Sequence, residues 1–280
     1  MQNFDLHCHT TASDGSYAPS GVMAKAKKEG IQTIAITDHD TVSGLAEAQK
    51  AALQHELNFI PGIEISAEFN PGILHICGYF IDPENDHLNN QLSVVQHGRS
   101  QRNPRIIKKL NELGIPISME EVRQAAGDDQ VGRPHFARVL VKKGFVESMD
   151  QAFDQFLAKG KPAYVERQRL SPEDAIHTIH QAGGKTVIAH PATLGFASGA
   201  EYKSFLQNMK ASGLNGIEAF SSYHSREQNI FFVSLAKELN LCLTGGSDFH
   251  GANKPEISLG EFALNENLSI DKMILELKNS

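Results

Sequence analysis

Cysteine is scarce: Cys8, Cys77 and Cys242 are the three in 280 residues, and no two of them form a CxxC pair. That excludes a disulfide framework and a zinc site of the thiolate type, and leaves three buried thiols as the expectation. No apolar run approaches the ~18–20 residues needed to cross a bilayer. The first basic residue is Lys25, so no signal peptide is read and a cytoplasmic location is expected. Long Pro, Gly or Ser tracts are missing as well, and 40% hydrophobic with 21% charged residues is the composition of an ordered globular chain. Neither GxGxxG nor GxxxxGK[ST] occurs, which argues against a nucleotide-dependent dehydrogenase or kinase. The length suits two domains or a single α/β barrel.

Charge is present but uneven. The net charge is −7, yet residues 99–165 hold 12 Lys+Arg against 8 Asp+Glu, while the remainder holds 14 against 25. A basic segment thus sits on an acidic body, and general coating of nucleic acid is excluded.

Short β-rich runs at Asn3–His9, Thr33–Thr37, Phe59–Ser66, Leu74–Ile81, Thr186–His190, Gly216–Phe220 and Cys242–Gly245 alternate with helical patterns such as Pro19–Glu29, Gly44–Gln54, Pro172–Ala182 and Arg226–Leu239. Ser171 is the expected N-cap of the third of these helices. Such alternation predicts a mainly parallel sheet of about seven strands. The rhythm breaks at 99–165, where four helical segments follow one another: Arg99–Leu113, Met119–Ala126, Pro134–Lys143 and Met149–Leu157. The expected organisation is a body of residues 1–98 and 166–280 carrying a helical insertion, 99–165.

Histidines and carboxylates recur where these strands end. His7 and His9 are two apart, which puts both on one side of a strand. His39 lies in Asp38-His39-Asp40 after the second run, Glu64 is late in the third, His75 is in the fourth, His190 ends the fifth, and Asp248-Phe249-His250 follows the last. In parallel α/β folds the carboxyl ends of strands share a face, where active sites are built. One such histidine means little, but six histidines with three carboxylates would cost several kcal/mol each to bury without a cation. An all-nitrogen-and-oxygen donor set suits manganese, iron, zinc or magnesium, and nine donors suit two or three ions.

The segments DLHCHTTASDGSYAP (5–19), ITDHDTVSGL (36–45), PGIEIS (61–66), LHICGY (74–79), IAHPA (188–192) and GGSDFHG (245–251) resemble the successive motifs of the polymerase and histidinol phosphatase (PHP) family. VGRPHFARVLVKKGF (131–145) and FLAKGKPAYV (156–165) resemble the branch of bacterial phosphoesterases that acts on nucleoside 3′,5′-bisphosphates and short RNA 5′ ends. The resemblance implies a distorted (β/α)7 barrel with His7, His9, Asp14, His39, Glu64, His75, His190, Asp248 and His250 as ligands, Glu64 bridging, of two or three divalent ions, manganese foremost. It implies hydrolysis of the 3′-phosphate of a nucleoside bisphosphate, and of short RNA from its 5′ end, by metal-activated water.

Other polar residues are weighed in that light. His177 and His180 are expected on a wet helix face, and His55, His87 and His97 in solvent. His224 follows the one strand that brings no ligand and is expected in the site, binding phosphate or donating to the leaving oxygen. Arg99, Arg102, Arg133 and Lys161 are the expected phosphate-binding residues of the insertion, because a guanidinium fork matches phosphate oxygens. The partner is then a phosphorylated small molecule or short RNA, with no membrane and no obligate protein partner. Three alternatives compete: a phosphatase of a small sugar or amino-alcohol phosphate, a non-catalytic metal-stabilised nucleic-acid-binding module, and an amidohydrolase, which shares HxH on a barrel but fits the other motifs poorly.

Overall fold

The β-rich runs become seven strands among the residues that the computed structural model describes, which are 3–126, 131–264 and 269–280. They are β1 Phe4–Asp5, β2 Thr33–Ile36, β3 Asn58–Ser66, β4 His75–Tyr79, β5 Lys185–Ile188, β6 Gly216–Ser221 and β7 Cys242–Gly246. Each pairs with its neighbours in chain order, from β1 through to β7. The seam between first and last is bridged just beyond the strands, where Leu6 N–H donates to Gly245 O, His9 N–H to Phe249 O and Phe249 N–H to His7 O. The result is a nearly closed seven-stranded barrel, as expected.

The sheet is mainly parallel, as expected, with one reversed strand. β4 runs antiparallel to both β3 and β5, while the other pairs are parallel. The cause is length: residues 67–74 link β3 to β4, too few for the crossover of a dozen or more that a parallel pair requires. His75 therefore stands at the amino end of β4 and still reaches the face where the other strands finish.

β4 ends beside the start of β5, where Tyr79 pairs with Lys185, and between the two strands the chain leaves the barrel along helix α3 (Asp86–Glu112). Its 27 residues span ~40 Å. The Asn85 side chain caps it by accepting from Leu88 N–H. A stripe at spacings of three and four is buried along it: Leu88, Leu92, Val95, Arg99, Arg102, Ile106 and Leu110. The expected insertion boundary at 98/99 thus falls inside one helix, whose polar first half hid its start.

The helices α1 (Pro19–Lys28), α2 (Leu45–His55), α7 (Pro172–Gln181), α8 (Gly199–Ala211), α9 (Arg226–Leu239) and α10 (Ile270–Asn279) belong with the barrel. Ser171 caps α7 by accepting from Asp174 N–H, as expected. Helices α4 (Met119–Ala126), α5 (Arg133–Lys142) and α6 (Met149–Ala152), the last prolonged by a wider turn at Phe153–Leu157, follow α3. Two apolar clusters result: the large one contains Leu88, Leu92 and Val95 with the barrel interior, and the small one gathers Ile106, Leu110, Val122, Phe136, Leu140 and Leu157. No helix among the described residues is long and apolar enough to cross a membrane.

Candidate metal centre

All nine nominated ligands meet at the face where the strands end. Glu64, fully buried late in β3, is the hub. Its Oε1 lies 3.3 Å from His7 Nε2, 3.0 Å from His75 Nδ1 and 3.0 Å from His190 Nε2. Its Oε2 lies 3.2 Å from His9 Nε2 and 2.9 Å from His39 Nδ1. Asp248 Oδ1 stands 3.2 Å from His7 Nε2 and 3.0 Å from His9 Nε2, and Asp14 Oδ1 stands 3.2 Å from His250 Nε2. Donor atoms come within 4.8 Å of one another in three sets: His9, Asp14, His39 and His250; His7, His9, Glu64 and Asp248; His39, Glu64 and His75.

The fit to cations can be tested on these atoms. His7 Nε2, His9 Nε2, His39 Nδ1, His75 Nδ1, Glu64 Oε2 and Asp248 Oδ1 are buried and make no hydrogen bond, although they converge. Buried polar atoms are seldom left so, and a group of nitrogen and oxygen lone pairs aimed at one space is what divalent ions satisfy. Burial alone would lower the His9 imidazole, yet the Asp248 and Glu64 carboxylates raise it to about 10, while at His75 burial prevails and lowers the imidazole to about 4. Burial pushes the Cys77 thiol up to about 12. Its sulfur lies 4.0 Å from His7 Nδ1, the ring nitrogen turned away from Glu64.

Four carboxylates behind the ligands were not singled out from sequence. Asp5 accepts from the N–H groups of His7, Ser247 and Gly260 and from Ser247 Oγ. Asp38 accepts from Thr10 N–H at 2.8 Å and from the hydroxyls of Thr10 and Ser13. Glu218 of β6 lies 2.9 Å from His7 Nδ1. Asp40 accepts from Ser66 N–H at 2.8 Å and pairs with Arg99 and Arg167. Burial works to raise the Asp40 carboxyl, but the two guanidiniums hold it well below the usual range. The adjacency of Asp38 and Asp40 to His39 was the available signal; Asp5 and Glu218 had none beyond a charge inside an apolar strand.

Above the centre opens a cleft of about 990 Å³. It is lined by Asp14, His39, His75 and His250, by Arg99, Arg102, Arg133, Arg167 and Arg169, and by the rings of Phe69, Phe153, Tyr164 and Tyr223. The arginines are not equivalent. Arg99 and Arg167 are committed to Asp40, and Arg169 Nη1 is 2.6 Å from Glu166. Arg133 donates to Leu157 O and lies over the rings of Phe153 and Tyr164. Arg102 is 3% exposed and, among the described residues, bonds only the Asn103 side-chain oxygen. Burial, then Arg99, Arg133, Arg167 and Arg169, push its guanidinium well below the ordinary value, an environment that favours a bound anion.

Two nominated residues lie elsewhere. Lys161 is exposed and does not line the cleft; Lys159, two residues earlier, does. His224 is buried with its ring 4.8 Å from that of Phe232 and its Nδ1 3.2 Å from Ala219 O, and its neighbour Tyr223 lines the cleft instead. Lys254 joins Tyr223 there, with Nζ 2.6 Å from the phenol oxygen and 2.7 Å from Asp248 Oδ2. His177, His55, His87 and His97 are exposed or half-buried, and His180 is half-buried with Nε2 3.1 Å from Asn215 Oδ1.

A nearly closed barrel with a histidine-carboxylate cluster at its strand ends and a cationic helical flank defines a class of hydrolase scaffold. The PHP domain profile matches residues 5–145, and the chain belongs to the PHP domain family. It is 35% identical over 249 residues to a 5′-3′ exoribonuclease of Haemophilus influenzae, covering 89% of this chain and 90% of that protein. It is 36% identical over 251 residues to a 3′,5′-nucleoside bisphosphate phosphatase of Chromobacterium violaceum, covering 89% and 88%. A solved structure from Chromobacterium violaceum, described as an amidohydrolase with bound sulfate and no metal, superposes with a TM-score of 0.88 at 33% identity, covering 98% of this chain and 97% of that one.

Proposed function

We propose that the chain is a metal-dependent phosphoesterase that removes the 3′-phosphate of nucleoside 3′,5′-bisphosphates and accepts the 5′ end of short RNA through the same grip. The observation that carries this is one cleft lined both by residues of the histidine-carboxylate cluster, the orphaned His39 and His75 nitrogens among them, and by five arginines. The relatives named for a bisphosphate phosphatase and an exoribonuclease support the same substrate class. The nine ligands would hold two or three divalent ions, manganese foremost, with Glu64 placed to bridge. Divalent ions there would supply Lewis acidity, acidifying a water and offsetting phosphoryl charge.

The protein's own groups do the rest. Arg102, whose charge no carboxylate among the described residues balances, and Arg133, held by Phe153 and Tyr164, bind the phosphate that is not cleaved. Arg99 and Arg167 shape this part of the cleft through Asp40. Lys254 and Tyr223 offer donors on the centre's side of the cleft, next to Asp248. An amide substrate would leave the arginines without an anion to bind, which favours a phosphoester over an amidohydrolase reaction. In this reading residues 99–165 are a clamp inserted between barrel segments 1–98 and 166–280. The three free thiols fit a reducing, cytoplasmic setting.

Phosphate release from adenosine 3′,5′-bisphosphate, 3′-AMP, 5′-AMP and histidinol phosphate, and mononucleotide release from a short 5′-phosphorylated RNA, test the proposal. The bisphosphate is expected to be turned over with the highest kcat/KM, and Glu64→Gln to abolish turnover. Preference for histidinol phosphate would move the protein to the small-phosphate class, and bound metal without any turnover would make it a binding module.

A further inference from the structure

Strand β6 contributes none of the nine ligands, yet its one carboxylate lies behind two of them. Glu218 is 1% exposed. Its Oε1 is 2.9 Å from His7 Nδ1, and its Oε2 accepts the backbone N–H of His190 at 2.7 Å. His7 follows β1 and His190 follows β5, and their rings stack 5.5 Å apart. The opposite ring nitrogen, His7 Nε2, faces Glu64 at 3.3 Å and Asp248 at 3.2 Å without a hydrogen bond. His190 itself holds a backbone φ of +28°, which a residue with a side chain adopts only when its surroundings impose it.

The geometry points to Glu218 as a positioning residue that fixes His7 with its proton on Nδ1 and its lone pair on Nε2, directed into the metal centre, while pinning the backbone that carries His190. A carboxylate only accepts hydrogen bonds, so both of its partners must be donors. His7 can donate from Nδ1 and coordinate from Nε2, but a ring with the proton on Nε2 would present N–H to the centre. One group on the strand without ligands thereby sets two ligands from different strands. This rests on reading the cluster as a metal centre and is independent of which ester is cleaved.

Glu218→Gln discriminates the idea from packing, because the side chain keeps its shape and exchanges one acceptor for an NH2 donor. If the amide oxygen stays on His190 N–H, the NH2 meets Nδ1 and forces the proton of a neutral ring onto Nε2. The melting temperature in chelator is expected to stay close to that of the parent protein, whereas manganese affinity measured by titration calorimetry falls ~10–100-fold, the usual effect of losing a ligand's supporting partner. Phosphatase activity should return at saturating manganese. Equal manganese affinity in folded Glu218→Gln overturns the proposal. The parent protein loaded with zinc gives a second reading that needs no variant: nitrogen NMR should show His7 protonated at Nδ1, and a proton on Nε2 overturns the proposal. Failure of the parent protein to take up either metal would sink the metal reading beneath it, which the parent titration shows by itself.

Discussion

Arg102 and Arg99 sit three apart on the buried stripe of α3 and behave oppositely in their surroundings, so their removal should separate binding from stability. Arg99 neutralises Asp40, and Arg99→Met leaves that carboxylate to Arg167 alone, a loss on the order of 2 kcal/mol in unfolding free energy. Arg102 has no carboxylate partner among the described residues, and Arg102→Met should leave stability unchanged or raise it. The same change should lower kcat/KM for a nucleoside bisphosphate by roughly 10–100-fold, the worth of one charge-assisted contact, and cost a monophosphate much less. Steady-state kinetics beside urea unfolding checks both. His135 offers a pH test outside the cluster. Burial lowers its imidazole to about 4 in the folded protein, so the unfolded chain binds the extra proton first, below its ordinary value of 6.5. Stability is therefore full above that value and falls as pH drops through the window down to about 4, by on the order of 3 kcal/mol. His135→Gln should flatten the difference in unfolding free energy between pH 7 and pH 4.5 relative to the parent, both measured in chelator. At this scale the cluster that the structure brings together was legible because histidine at a strand end is chemically conspicuous and recurs. Asp5 and Glu218 were not, since an acid buried behind a ligand has no spacing that distinguishes it from a surface acid on the same strand.

Elements were legible where periodicity carries information. The expected strand Thr33–Thr37 differs from β2 by one residue, as Gly216–Phe220 does from β6. Strand direction is another matter, because alternation looks the same read either way; only the short link 67–74 could have revealed that β4 is reversed. Helix α3 began thirteen residues earlier than expected because Asn89, Asn90 and Gln91 dilute the apolar stripe that its tertiary contacts complete. That helix now joins two apolar clusters, and the smaller one is predicted to be separable. Phe136 is fully buried in it, so Phe136→Ala should remove about 3–5 kcal/mol from the helical segment. Limited proteolysis should then cut within 106–163 while metal uptake by the barrel ligands persists. Simultaneous loss of metal binding would show that the helical segment and the barrel fold as one unit.

For the whole molecule, the distribution of charge predicts salt sensitivity. Bisphosphate kcat/KM should fall more steeply with ionic strength than that of a monophosphate, because the arginines meet only the former's second phosphate. The barrel seam has a different consequence. His7 and His9 lie at one end of the chain and Asp248 and His250 near the other, and two of the three donor sets draw on both. The backbone joins the same two edges through the few bonds of Leu6, His9 and Phe249. Ions held there would act as a removable cross-link enclosing some 240 residues, closing a loop that a chain without disulfides otherwise closes only through packing and the hydrogen bonds across the join. Chelation should then loosen the molecule like a cut hoop, first at the join: amide hydrogen exchange at Leu6, His9 and Phe249 should accelerate while that of the β4–β5 pair, on the far side of the ring, stays slow.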